Sequence, residues 1–203
     1  MNQKPYEILA MPFTLYLAPT GTVFPPIDET PGAGWTKVGT SGDLNYGEDG
    51  ITITHNESVE VWRALGSTGP RKAFRTEEEL HISLMLADLS LEQYAMAVNY
   101  NTVATVAAAV GEAGYKKMGL SRGLDVPQRA LLVRGPGASP YGGQWNLQYE
   151  FPVAVQVGEP EVVFVKGEPA MLQLEWQLLE DLVAATEVER FGRVVAQNTD
   201  PGT

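Results

Sequence analysis

Ile51-Thr52-Ile53-Thr54-His55-Asn56-Glu57-Ser58-Val59-Glu60-Val61-Trp62, followed eleven residues later by Phe74-Arg75-Thr76-Glu77-Glu78-Glu79-Leu80-His81-Ile82-Ser83-Leu84-Met85-Leu86, is the stretch whose reading decides the fold. In the first run Ile51, Ile53, Val59 and Val61 fall on one face and Thr52, Thr54, Asn56, Ser58 and Glu60 on the other. That period of two is the signature of a strand with one buried and one wet face. His55 and Glu57 fall on the nominally apolar side, so the middle of this strand is bulged, unburied, or set against another chain. In the second run Phe74, Leu80, Ile82, Leu84 and Leu86 alternate against Arg75, Glu77, Glu79, His81 and Ser83, interrupted at Thr76 and Glu78, which predicts a half-buried antiparallel strand. At about 14 residues it exceeds the usual 5 to 6. Part of it is expected to project beyond its own sheet, and projecting strand ends suit an assembly.

The joints around these runs are legible. Gly34-Trp35-Thr36-Lys37-Val38-Gly39 opens the region, and Gly47-Glu48-Asp49-Gly50 leads into the first run. Gly66-Ser67-Thr68-Gly69-Pro70-Arg71 leads into the second. Ser90 with Gln93 three residues on has the form of a capping box, Glu92 sits where the helix dipole favours an acid, and a helix is predicted from Leu91 to about Asn99. Its residues Leu91, Tyr94, Ala95 and Val98 make one apolar stripe, fit to cover a sheet face or edge.

Upstream, Ile8 to Ala18 reads as a strand rather than a secretory signal, because Glu7 adjoins the apolar run and Pro12 interrupts it. Pro19 to Gly34 is too rich in proline and glycine for a strand or helix and is a loop long enough to reach a neighbour. Downstream, Thr102 to Gly123 has no clear period and reads as strand or loop. Strands are expected at Ala130–Arg134, Trp145–Val157, Val162–Lys166 and Leu172–Leu178. From about Thr186 the pattern fades, and the end is expected to be a flexible arm that orders on assembly. The sum is about seven or eight strands with one helix in a single domain over residues 1–203: a mainly β fold, an antiparallel sandwich or squashed barrel with one flanking helix at about residues 90–99.

Composition narrows the function. With 25 acids against 14 bases the chain carries a net charge of −11, the wrong sign for neutralising phosphates over a wide surface. There is no cysteine, which removes disulfides, thiol nucleophiles and cysteine zinc sites. Of the two histidines, His55 and His81, neither has a His or Cys partner at metal-ligand spacing. No nucleophile elbow, His-Glu-x-x-His pair or phosphate-binding glycine loop occurs, and no apolar run is long enough to span a membrane. No catalytic, cofactor or metal residues are expected, and a soluble protein is. Trp62, Trp145 and Tyr149 could form a sugar platform on a jelly roll, although aromatics in β-proteins more commonly pack in cores or subunit interfaces.

Trp35-x-Lys37-Val38-Gly39, Gly47-x-Asp49-Gly50-Ile51, Gly69-Pro70-Arg71 with Thr76-Glu77-Glu78 after it, and Asp88-Leu89-Ser90-Leu91-Glu92 at the helix start together resemble the tail tube proteins of long, non-contractile-tailed bacteriophages and related gene-transfer particles. The resemblance covers residues 34–99. It implies a structural, non-enzymatic virion protein, assembled in the host cytoplasm into stacked hexameric rings that form the tail channel. It implies as partners the chain itself and tape-measure, baseplate and tail-terminator proteins, with DNA passing through unbound. Under it, some of Glu57, Glu60, Glu77 and Glu79 are candidates to face the channel. The loops Ser41 to Gly50 and Leu65 to Lys72, with Asp43, Tyr46, Glu48, Asp49, Arg71 and Lys72, are candidates for contacts between rings. Other tail ring proteins of the same fold (terminator, distal tail or secretion tube) and a carbohydrate-binding β-sandwich are the alternatives.

Overall fold

Ten strands and one helix make up the chain in a computed structural model that describes residues 6–200. In order they are β1 (Thr14–Pro19), β2 (Thr36–Lys37), β3 (Tyr46–Trp62), β4 (Lys72–Leu86), α1 (Leu91–Ala97), β5 (Ala104–Val106), β6 (Tyr115–Lys117), β7 (Gln128–Gly135), β8 (Leu147–Gln156), β9 (Leu172–Leu178) and β10 (Arg193–Ala196). All but β5 and β6 belong to one antiparallel sheet of order β2-β1-β7-β8-β9-β4-β3. β9 and β10 both pair with β8, at Ala154–Gln156 and Leu147–Glu150 respectively. The sheet bends at β8, so that Leu15, Leu17, Leu131 and Val133 from one limb meet Ile82, Leu84, Leu86, Leu172, Leu174 and Trp176 from the other. The result is the expected sandwich rather than a closed barrel: the path ends at β2 and β3, which do not pair with each other.

Helix α1 lies over this core through Met96 and Ala97 and ends on a left-handed pair, Asn99 (φ 66°) and Tyr100 (φ 58°). The pair turns the chain so that the Tyr100 hydroxyl accepts from the buried Trp176 indole at 3.3 Å. The capping box is not formed, since the Ser90 hydroxyl makes no cap bond. Gln93 instead accepts the Gly39 N–H at 2.9 Å, and the start of the helix is held by Asp88, which accepts the N–H groups of Thr40 (2.8 Å) and Ser90 (3.0 Å). Partial burial raises the Asp88 pKa, but those bonds outweigh it and bring the carboxyl down to about 2. A glutamine that can satisfy a buried backbone donor across the fold is worth more there than in a local cap.

Outside the central hairpin one expectation gains detail and two fail for identifiable reasons. Pro19–Gly34 is a loop, but its carbonyls are fastened to its own sheet: Gln148 donates to Pro25, and Arg134 and Asn146 donate to Ile27. The segment from 186 is no free arm. β10 pairs with β8, and Arg193 donates to the buried carboxylate of Glu150 at 2.6 Å. Val162–Lys166 forms no strand despite its β-branched residues, because no edge lies beside it and Phe164 stands 79% exposed. The ambiguous 102–123 segment is a second, two-stranded hairpin, β5–β6, whose tip residue Val110 is fully exposed.

Candidate assembly surface

Strand β3 is 17 residues long and β4 is 15, yet only the inner part of this hairpin is covered. β4 pairs with β9 from His81 to Leu86, whereas from Lys72 to Leu80 its sole partner is β3. β3 pairs with β4 alone along its whole length. The hairpin therefore leaves the sheet as a two-stranded ribbon with open backbone groups on the outer margin of β3 and on the distal margin of β4. Long open edges of this kind template pairing with another chain unless they are blunted. Lysine and proline are absent from β3; what blunts its margin is the bulge at Gly47–Gly50 and the acids along it, and no other strand covers it.

Two irregularities set what the ribbon displays. Tyr46 pairs with Leu86 and Ile51 with Leu84, so Gly47, Glu48, Asp49 and Gly50 of β3 face the single residue Met85. The expected loop is thus a wide bulge inside the strand. Gly50 closes it at φ 64°, a conformation open to glycine without steric cost. The second irregularity is at Thr76, where Ser58 pairs with Glu77 but Val59 pairs with Arg75. A single inserted residue reverses the facing of everything beyond it. Phe74, expected with Leu80 on the core side, is for that reason opposite Glu60 and on the other face.

The four candidate channel acids do not share a face. Glu60, Glu77 and Glu79 lie on the polar side with Asn56, Ser58 and His81, a surface that continues across the sheet to Glu175 and Gln177 of β9. His81 bridges it, 3.2 Å from Glu175 and 3.6 Å from Glu79. Glu57 is on the core-side face with Glu78, where Arg75 donates to Glu57 at 2.7 Å and His55 contacts Glu78 at 2.7 Å. Pairs this exposed contribute about 0.2–1 kcal/mol each, so they fix the ribbon's register more than they hold it together. His55 and Glu57 on the apolar side are explained by this cross-strand network on an unburied ribbon.

The contact candidates also divide. The Tyr46 hydroxyl donates to the Val38 carbonyl at 2.8 Å and accepts the Leu15 N–H at 3.1 Å; burial pushes its pKa up. Asp43 accepts from Thr14 at 2.9 Å. Both tie the base of β3 to β1, an internal duty. Glu48, Asp49, Arg71 and Lys72 are exposed and, among the described residues, form no ion pair. Lys72 lies over the Phe74 ring, 4.9 Å from its centre. Trp62, Phe74, Val59, Val61 and the fully exposed Leu65 give the ribbon an apolar content that an isolated surface hairpin has no use for. Trp145 and Tyr149 do not join Trp62 in a platform: Tyr149 stacks on Phe151 at 6.2 Å and Trp145 donates to Asp200 at 3.1 Å.

No family model and no curated protein matches the sequence. Among solved structures, the chain is similar to one described as the cryo-EM structure of the anti-feeding prophage baseplate, 6-fold symmetrised. The alignment covers 96% of this chain and 97% of that one, at 7% identity and a TM-score of 0.49. A likeness of that size bears on neither family nor role. Among the described residues no group of three or more His, Asp or Glu is gathered as for a metal, and no helix is long and apolar enough to cross a membrane.

Proposed function

We propose that this protein is a non-enzymatic structural subunit of a bacteriophage-type tail, polymerising as stacked hexameric rings that form the tail tube. The observation that carries the reading is the uncovered β3–β4 ribbon: a 17-residue strand with one free margin, lengthened by bulges and dressed with exposed Trp62, Leu65 and Phe74. Pairing around a closed ring of identical chains removes every such edge at once, and a strand that meets the same strand's neighbour needs no second protein. The resemblance of residues 34–99 to tail tube proteins supports the same assignment.

On this reading the polar face of Glu60, Glu77, Glu79 and Glu175 lines the channel. Six copies of an acidic face deny passing DNA the counterion-release binding that a basic wall would give. Converting Glu60, Glu77 and Glu79 together to glutamine is expected to leave tubes intact and slow DNA delivery by particles that carry them; tubes lost with delivery unaffected in residual particles would make these acids interfacial instead.

Negative-stain microscopy of the purified protein tests the assignment. Hollow tubes of stacked rings support it. Solitary rings would move the protein to a terminating or distal ring of the tail, and featureless monomers that bind glycan would make it a carbohydrate-binding sandwich.

A further inference from the structure

The two ends of the hairpin carry opposite charge. At the tip, residues 62–72 contain Arg63, Arg71 and Lys72 and no acid, and all three side chains are exposed with no carboxylate within ion-pair distance among the described residues. At the base, Glu48 and Asp49 lie exposed in the four-residue bulge and form no ion pair among the described residues. A strand of this length separates the two ends by roughly 50 Å, far beyond the screening length at physiological salt. They cannot satisfy each other within one molecule. Arg75, the one further base on the ribbon, is already engaged by Glu57 and Glu78, so the stem does not neutralise the tip. In a chain of net charge −11, clustering three unpaired bases at the far end of an acidic stem is a polarised arrangement.

We infer that the basic tip of one copy docks on the Glu48–Asp49 bulge of the next copy along the strand axis. This is a head-to-tail contact between two different surfaces, the kind that propagates instead of closing. It rests on the ring-forming reading and adds to it which loops meet: the two candidate contact loops are each other's partner, brought together by charge. Trp62 and Leu65, exposed beside the bases, give the docked tip apolar contact to exclude water around the pairs.

Charge reversal on the full chain tests this. The tip variant Arg63→Glu/Arg71→Glu/Lys72→Glu and the base variant Glu48→Lys/Asp49→Lys each alter only exposed side chains, and circular dichroism verifies that both fold. Each is expected to lower the fraction of protein pelleted as tubes at least about tenfold at low salt. The variant carrying all five substitutions has an acidic tip and a basic base, and is expected to recover tubes. High salt should weaken wild-type stacking. Tubes from the tip variant equal to wild type, or a combined variant that stays unstacked, overturns the contact while leaving the ring reading standing. Wild-type rings that never stack do the same. Wild-type protein that stays monomeric overturns both. Loss of duplex-DNA binding in the tip variant, read by fluorescence anisotropy, with assembly unchanged, would assign the tip to nucleic acid and overturn the contact as well.

Discussion

Gly192 holds the backbone at φ 117° just before β10, with the Glu150 carbonyl where a side chain would begin. Alanine there must move the strand, so Gly192→Ala is expected to destabilise by about 1–3 kcal/mol in a thermal or denaturant melt. Next to it, Glu150 is 3% exposed and its carboxylate is met by Arg193 and Gln148. Arg193→Met keeps the bulk of the side chain but leaves a buried charge short of its partner, and should cost about 3 kcal/mol, with β10 amides becoming the first to exchange. Asp88 makes stability depend on pH. Its folded pKa of about 2 lies below the ordinary 3.8 of an aspartate, so its contribution is complete well above 3.8 and is lost as pH falls through that window. Asp88→Ala is therefore expected to lower the melting temperature at pH 7, with the difference shrinking as pH falls from about 4 through 2. These residue-scale contacts were the least legible in the sequence. Glu150 and Arg193 are 43 positions apart, and neither lies in a pattern that announces burial. Gln93 looked like half of a capping box because its local context is right; its tertiary partner, Gly39, is 54 residues away.

At the scale of elements, β9 and the inner parts of β3 and β4 were readable because they have one face on the core and one in water, which writes a period of two into the chain. β7 and β8 were readable as apolar runs between turn signals. The bulge at Thr76 was not. Alternation resumes on either side of it, and the only trace is that Phe74 and the Leu80 set are separated by Thr76 and Glu78, which the pairing resolves by reversing the facing beyond Thr76. β10 is four residues with a single valine pair, below what periodicity can detect. At Val162–Lys166 β propensity is high but no strand pairs with the segment, and without a partner it stays irregular. The distal ribbon buries little, which yields a prediction. Replacing residues 58–77 with an Asn-Gly turn should leave the far-ultraviolet spectrum of a β-protein and shift the melting temperature by no more than about 2 °C, because the covered pairs from His81 inward are untouched. The same truncation should abolish assembly in sedimentation. A collapse of the fold would instead make the ribbon part of the core.

For the whole molecule, the sheet's path from β2 to β3 leaves one end short and the other long and uncovered. The short end, β2, is two residues and is flanked by the fastened 19–34 loop; the long end, β3, is blunted by its bulge and acids but has no covering strand or loop along its free margin. A solitary soluble protein so built would be an aggregation hazard, and the arrangement becomes economical once the edge has a designated occupant in an identical chain. Hydrogen–deuterium exchange across assembly tests this directly. In peptides spanning Ile51–Trp62, the amides that point away from β4 are predicted to exchange rapidly in the dissociated chain and to become strongly protected in the assembled particle, while the β7–β8 peptides stay protected in both. Equal exchange of Ile51–Trp62 in the dissociated and assembled forms would contradict the account, since the free margin of β3 would then have found no partner.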